Sequence, residues 1–328
     1  MTDQTYNHQM RKVAEALHKG DFFLVAGHVD PDFDCIGSLL ALDWALRKLG
    51  KTSVPVVAGP VSPRWDFLPH RHRLRSMETV QRDEWDIIVA VDGDLGRTGI
   101  AADWIQTARS VVNIDHHPTN AASPETTLLL VPEASATGEL IYDLITYLDL
   151  SVDPDVATLL YAAIVSDTGS FRYSNTTERS LRLAADLVKR GARPDDVAGH
   201  LYEHRSWGYM EFLRRALQTL ERSEDGQAAW LTLSHDLLTE TTAYPEETEG
   251  IIQYPKMIDG VELAIVFRET EPDVVRVSFR SRSRYDVSAL AKEFGGGGHV
   301  RAAGCRLHLP LEQARETVLA RVSEVLHR

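Results

Sequence analysis

Residues 85–120 read WDIIVAVDGDLGRTGIAADWIQTARSVVNIDHHPTN. Two apolar, β-branched runs, 85–93 and 110–115, flank a segment of helical pattern at 99–109, and each run closes on acids or histidines: VDGD after the first, DHH after the second. Strand, helix and strand in that order make a crossover unit, whose strands lie parallel. Unbroken apolar strands, in place of alternating ones, mark a sheet covered on both faces.

The same alternation extends outward. Further strands are expected at 22–29 (FFLVAGHV), 52–58 (TSVPVVA) and 126–131 (TTLLLV), with helices at 35–50, 137–148, 154–169 and 177–191. The fold class is therefore α/β, with a parallel sheet and crossover helices in the N-terminal part. After an amphipathic stretch at 206–222, the order strand, helix, strand, strand, helix, strand and a closing helix reads as a smaller α/β domain, with a cleft expected between the two. A chain of 328 residues exceeds what one core ordinarily organises. The expected division is a first domain at 1–205, a helical connector at 206–225 and a second domain at 226–328.

In a parallel sheet all carboxyl ends lie on one edge, so residues just beyond each strand meet in one crevice. Here they are His28, Asp32 and Asp34 after the first strand, Asp92 and Asp94 after WDIIVAV, and Asp115, His116 and His117 after SVVNI. Asp167 joins them from the helix ending SDTG. Singly each has a plain structural reading: Asp34 as a helix N-cap, Asp115 as a turn residue, SDTG as a helix end. Together, four segments bring acids and imidazoles to one edge, where carboxylates repel unless cations lie among them. Such donors suit Mn²⁺, Mg²⁺ or Fe²⁺, and their number suffices for two ions sharing a carboxylate, the arrangement of a hydrolytic centre.

Composition narrows the partners. With 35 basic against 48 acidic residues, net −13, the chain has no broad electropositive face for long nucleic acid. Between Arg276 and Arg306, however, seven basic residues face only Asp286 and Glu293, a local pocket for a short anion. No window reaches the roughly eighteen apolar residues of a membrane helix, and MTDQTYNHQMRK lacks the apolar core of a signal peptide. Cys35 and Cys305, far apart, make neither a disulfide framework nor a paired-cysteine zinc motif. A cytoplasmic protein without a membrane partner is expected.

With these motifs in view, the chain resembles the DHH phosphoesterases with an appended DHHA1 domain. GHVDPDFDCIGS (27–38), VDGDLGRTG (91–99), DHH (115–117) and AAIVSDTGSF (162–171) resemble the family's four motifs in order, and FRSRSRYDVSALAKEFGGGGHVRAAG (279–304) resembles the glycine-rich DHHA1 motif. The resemblance implies two Mn²⁺ ions, with Mg²⁺ as the alternative. His28, Asp32 and Asp92 would hold one, and Asp34, Asp92, His116 and Asp167 the other. The bridge is Asp92 or Asp94, of which Asp92 directly ends the apolar run. Asp115 and His117 are the implied catalytic pair, Asp115 fixing an imidazole and His117 facing the phosphate. In GGGGH (295–299), Gly296, Gly297 and Gly298 leave room for backbone N–H groups to approach a phosphate, with His299, Arg280 and Arg282 as its clasp. Alternation along RVSFRSRSR would set Arg280, Arg282 and Arg284 on one strand face.

The likeness is to the nano-RNase type, which implies hydrolysis of very short RNA to mononucleotides and release of phosphate from 3′-phosphoadenosine 5′-phosphate (pAp), with short oligonucleotides and nucleotide phosphates as partners. A homodimer is a further implication. The alternatives are a cyclic- or linear-dinucleotide phosphodiesterase, a RecJ-like single-stranded DNA exonuclease, and a nucleotide sensor that binds without cleaving.

Overall fold

The computed structural model describes residues 3–81, 84–100, 102–120, 122–243 and 245–326. The chain divides into two compact units, Met1–Glu203 and His204–Arg328. In the first, helix α1 (Asp3–Lys19) precedes β1 (Phe22–Ala26), α2 (Phe33–Lys48), β2 (Thr52–Val57), a two-residue strand β3 (Arg75–Ser76), β4 (Ile87–Val91), α3 (Ala102–Thr107), β5 (Ser110–Asp115) and β6 (Thr127–Leu130). Four helices follow: α4 (Thr137–Tyr147), α5 (Pro154–Asp167), α6 (Glu178–Lys189) and α7 (Pro194–Ala198). All six strands are parallel, in the order β3-β2-β1-β4-β5-β6.

The apolar runs are unbroken because both faces of this sheet are covered. Phe23, Val25, Val89, Val91 and Ile114 pack into a core with α2, α4 and α5, while Leu24, Ala26 and Ile88 meet Trp85, Ile100 and the α3 side chains Trp104 and Ile105. Helix α2 is buried from Phe33 to Leu46, which explains why it is apolar all round. Strands β1 and β4 are neighbours in space but not in sequence, so the strand order reverses between them. That reversal opens a crevice at their carboxyl ends.

One polar contact inside this core has a measurable consequence. Asp43 on α2 is fully buried and accepts from Ser53 Oγ at 2.6 Å, Arg47 Nε at 3.1 Å, and Arg73 Nε and Nη2 at 3.2 and 3.1 Å. Arg73 also donates to the Ser53 carbonyl at 2.8 Å, tying β2 to α2. Arg73→Ala is expected to cost about 2–3 kcal/mol in urea unfolding, less than a fully orphaned buried charge because Arg47 and Ser53 remain. An unmoved midpoint would reduce the pair to the worth of a surface contact.

The second unit opens with α8 (Trp207–Leu217), β7 (Glu221–Arg222), β8 (Ala228–Leu233), α9 (His235–Glu240) and α10 (Gln253–Met257). It continues through β9 (Leu263–Glu271), β10 (Val274–Ser281), α11 (Val287–Glu293), β11 (Gly297–His299), β12 (Ala302–Leu307) and α12 (Leu311–Leu326). The sheet runs β11-β12-β10-β9-β8-β7, antiparallel except for β8 beside β9. Val275, Val277 and Phe279 pack with Ala314, Val318 and Val322 of α12, while Val266, Leu231 and Leu233 pack with Tyr209 and Phe212 of α8. The stretch read as a connector thus contributes α8 to this second core.

β10 ends at Ser281, so the expected common face of Arg280, Arg282 and Arg284 does not form. The chain bends away there: the Arg282 amide donates to the Glu262 carbonyl, and its guanidinium donates to the carbonyls of Lys256 and Ile258. Arg276, Ser278 and Arg280 share the strand face instead.

Candidate metal centre

The crevice at the end of β1 and β4 collects the polar residues. Asp92, the first residue past β4, is buried and holds φ at 63°, a left-handed conformation in which a non-glycine residue is strained. Its carboxylate lies between two imidazoles, with Oδ2 3.5 Å from His28 Nε2 and Oδ1 3.7 Å from His116 Nε2. Asp94 is turned elsewhere and caps the short turn Leu95–Arg97, accepting from the Arg97 amide.

His116 carries the chemical argument. Its Nδ1 is 3.1 Å from the Ala134 carbonyl, an acceptor only, so Nδ1 bears the hydrogen and the neutral ring presents a bare Nε2. That nitrogen faces Asp34 Oδ2 at 3.8 Å, Asp92 Oδ1 at 3.7 Å and Asp167 Oδ2 at 3.5 Å. A lone pair and three carboxylates around one point repel one another unless a cation stands among them. On the other side of Asp92, His28 is 5% exposed, and its buried Nδ1 has no hydrogen-bond partner. These donors fit divalent cations.

The electrostatics agree. Burial, then the charges of Asp92, Asp167 and Asp32, push the Asp34 carboxyl well above its ordinary range. Burial and the charges of Asp32 and Asp92 do the same to Asp167. For Asp92 burial also acts upward but is outweighed, first by the hydrogen bond with His28, so it stays ionised. The protein thus gathers more negative charge than its own imidazoles neutralise.

Asp34 is not the N-cap of α2. Asp32 is, accepting from the Cys35 amide at 3.0 Å, which uses one carboxylate oxygen of that exposed residue. Asp34 sits one residue inside the helix, fully buried, and is gripped by the first amides of α4, Thr137 N at 2.7 Å and Gly138 N at 2.9 Å, with Ser38 Oγ at 3.0 Å. Thr137 Oγ1 donates to Asp92 Oδ1 at 2.8 Å. Asp32 adds its charge to this cluster, although the groups of donor atoms lying within 4.8 Å of one another, among the described residues, do not include it.

His117 is held differently. Its Nδ1 is 2.7 Å from Asp115 Oδ1 and 3.8 Å from Asp92 Oδ1, and Asp115 is fully buried. Asn120 Nδ2 donates to Asp115 Oδ2 at 2.5 Å and to Asn113 Oδ1 at 2.7 Å, while Asn113 Nδ2 donates to the Gly93 and Ala90 carbonyls. Every hydrogen of both amides is therefore used, which fixes the orientation of Asp115. Burial alone would lower the His117 pKa, but Asp115 and Asp92 raise it, favouring the imidazolium.

Several site residues escaped the sequence reading. Asn113 left a signal, being the polar residue inside the apolar run SVVNI, whereas Thr137 and Asn120 left none. Cys35, not among the site residues expected from sequence, joins the cluster: its sulfur lies within 4.8 Å of a His28 ring nitrogen and an Asp92 oxygen. Burial pushes its thiol pKa upward.

In the second unit, Arg280 lines a cavity of ≈130 Å³ with Arg268, Arg276, Ser278, Ile251, Ile252 and Val266. Arg276, counted in the basic stretch read from sequence, stands opposite Arg268 across β10 and β9, and Arg268 was not singled out there. The glycines divide by role. A Cβ at Gly296 would stand 2.1 Å from the Gly304 carbonyl and one at Gly298 2.6 Å from the Ala302 carbonyl, so strand β12 demands both. Gly297 faces open space. The side chain of His299 lies outside the described residues.

Comparison with known proteins follows the same division. The DHH family, N-terminal domain, matches residues 23–164, and the DHHA1 domain matches 233–328. The bifunctional oligoribonuclease and PAP phosphatase NrnA of Thermus thermophilus is 34% identical over 328 residues, covering 98% of this chain and 96% of that protein. The protein of the same name from Bacillus subtilis is 29% identical, covering 88% and 90%. Among solved structures, an exopolyphosphatase-related protein from Bacteroides fragilis superposes with a TM-score of 0.88 at 23% identity over 98% of each chain, a likeness of fold. With one relative at this identity over nearly its whole length, and with the acids and histidines of the motifs converging at one sheet edge, the chain belongs to the DHH family and carries a DHHA1 domain after its DHH domain.

Proposed function

We propose that this protein is a metal-dependent phosphoesterase that hydrolyses very short RNA to mononucleotides and releases phosphate from pAp. The observation that carries the reading is His116 Nε2, bare and surrounded by Asp34, Asp92 and Asp167 within 3.8 Å. Near-complete alignment with relatives named for these two activities supports the substrate class.

His28, Asp32 and Asp92 would hold one cation and Asp34, Asp92, His116 and Asp167 the other, with Mn²⁺ the preferred ion for such oxygen and nitrogen donors and Mg²⁺ the alternative. Two such ions, when bound, supply a nucleophilic water near neutral pH and offset the charge of the phosphoryl oxygens. Asp92, strained and central, serves both positions. Asp115 keeps the Nδ1 proton of His117 engaged, which orients the ring and leaves Nε2–H to donate to the phosphate under attack. Arg280, with Arg268, Arg276 and Ser278, forms a basic recess for a second phosphate, and Gly297 and His299 lie on the same sheet. Arg282, spent on two backbone carbonyls, steadies this region.

The small recess and the net charge of −13 favour short anions over long strands. Two buried free cysteines accord with a cytoplasmic setting; among the described residues no helix is long and apolar enough to cross a membrane. The test is a length series of labelled RNA from the dinucleotide upward, run with Mn²⁺ and with Mg²⁺, beside phosphate release from pAp. Rapid release of mononucleotides from the shortest members and steep loss with length are expected. Preference for long strands, or binding without release, would reject the reading.

A further inference from the structure

Cys35 occupies the first turn of α2, fully buried, with its sulfur, a ring nitrogen of His28 and a carboxylate oxygen of Asp92 all within 4.8 Å of one another. On its other side stands Gly27, where an added Cβ would come within 2.4 Å of the sulfur. Any side chain at residue 27 would therefore compete with the thiol for its seat beside Asp92. The second element is His28, 5% exposed, whose ring places Nε2 3.5 Å from Asp92 Oδ2 and has a buried Nδ1 without a hydrogen-bond partner.

A buried cysteine is ordinarily a small apolar filler. Filler has no reason to share one point with an imidazole and a carboxylate, whereas nitrogen, sulfur and oxygen donors together are the set that borderline-soft divalent ions select. Donors of one such ion, at bond lengths of about 2.0–2.3 Å, lie some 3–4 Å apart, so side-chain adjustment alone would close this group. We propose that Cys35 is a metal ligand, and that Cys35, His28 and Asp92 form a position taking a thiophilic divalent cation, of the class of Zn²⁺, Co²⁺ or Cd²⁺, in competition with harder ions. As the sulfur–metal bond forms, the S–H proton passes to solvent, with no change of oxidation state.

The inference rests on reading His28 and Asp92 as ligands, and the experiment separates the two claims. Metal-stripped full-length protein is titrated with Co²⁺ and followed by absorption, for visible d–d bands that report bound cobalt and for the near-ultraviolet thiolate-to-cobalt band that reports sulfur. Wild type and Cys305→Ser, which alters the only other cysteine, are expected to show both. Cys35→Ser is expected to keep visible bands, lose the thiolate band and bind Cd²⁺ at least about tenfold more weakly, the scale on which even outer partners of a metal act, with Mn²⁺ affinity little changed. Circular dichroism verifies that each variant is folded, and Cys35→Ala is a second replacement should serine disturb the pocket. Cobalt bound to wild type without a thiolate band, or a band surviving both replacements of Cys35, overturns the role of the thiol while the centre stands. No cobalt bound at all overturns both.

Discussion

Asp92→Asn is expected to reduce turnover on short RNA and on pAp by roughly a thousandfold or more, the loss of several kcal/mol of charge stabilisation, and to abolish the rise in melting temperature expected of the parent with Mn²⁺. The replacement keeps shape. Asparagine accepts the left-handed backbone at φ 63° as readily as aspartate, and its carbonyl oxygen can still receive Thr137 Oγ1. What changes is the pair of anionic oxygens between His28 and His116, 3.5 and 3.7 Å away. Paired thermal melts with Mn²⁺ and with chelator, beside initial rates, measure it. Should the variant retain the full Mn²⁺-dependent shift, Asp92 is not shared between two ions and the assignment of the centre is wrong.

His117→Ala divides catalysis from binding. The ring lies near enough to Asp92 and His116 to be taken for a ligand, but its Nδ1 is engaged by Asp115 at 2.7 Å, and its raised pKa suits a hydrogen-bond donor to phosphate. Turnover is expected to fall by about 10²–10⁴-fold, the range for a positioned proton donor, with the Mn²⁺-dependent melting shift preserved. Asp115→Asn should reproduce much of that loss, because a neutral amide withdraws the charge that favours the imidazolium and holds its ring in place. Normal turnover in His117→Ala, or loss of the melting shift, would remove His117 from this role.

Much of this architecture was legible because it follows from local rules. Apolar runs such as IIVAV and SVVNI could belong only to a sheet covered on both sides, and parallel strands with crossover helices then fixed which end the acids would share. That logic gathers His28, Asp34, Asp92, His116 and Asp167 at one edge. What escaped was set by partners remote in sequence. Asp34 is gripped by amides of Thr137 and Gly138 more than a hundred positions away, and nothing near it announces that Asp32 takes the capping role. The edge strands β3 and β11, of two and three residues, owe their existence to a neighbour's unpaired backbone and not to their own side chains. Arg282 was misplaced because alternation was continued past the residue where β10 stops.

The cluster around Asp92 draws on four stretches of chain between residues 28 and 167, and its last member arrives only with the end of α5. During synthesis, then, no emerging fragment shorter than this can present the complete constellation, however much of the sheet has already formed. Filling of the position assigned to Asp34, Asp92, His116 and Asp167 becomes a late event in maturation, a mark of completed assembly, and a chain truncated before α5 lacks one of its four donors.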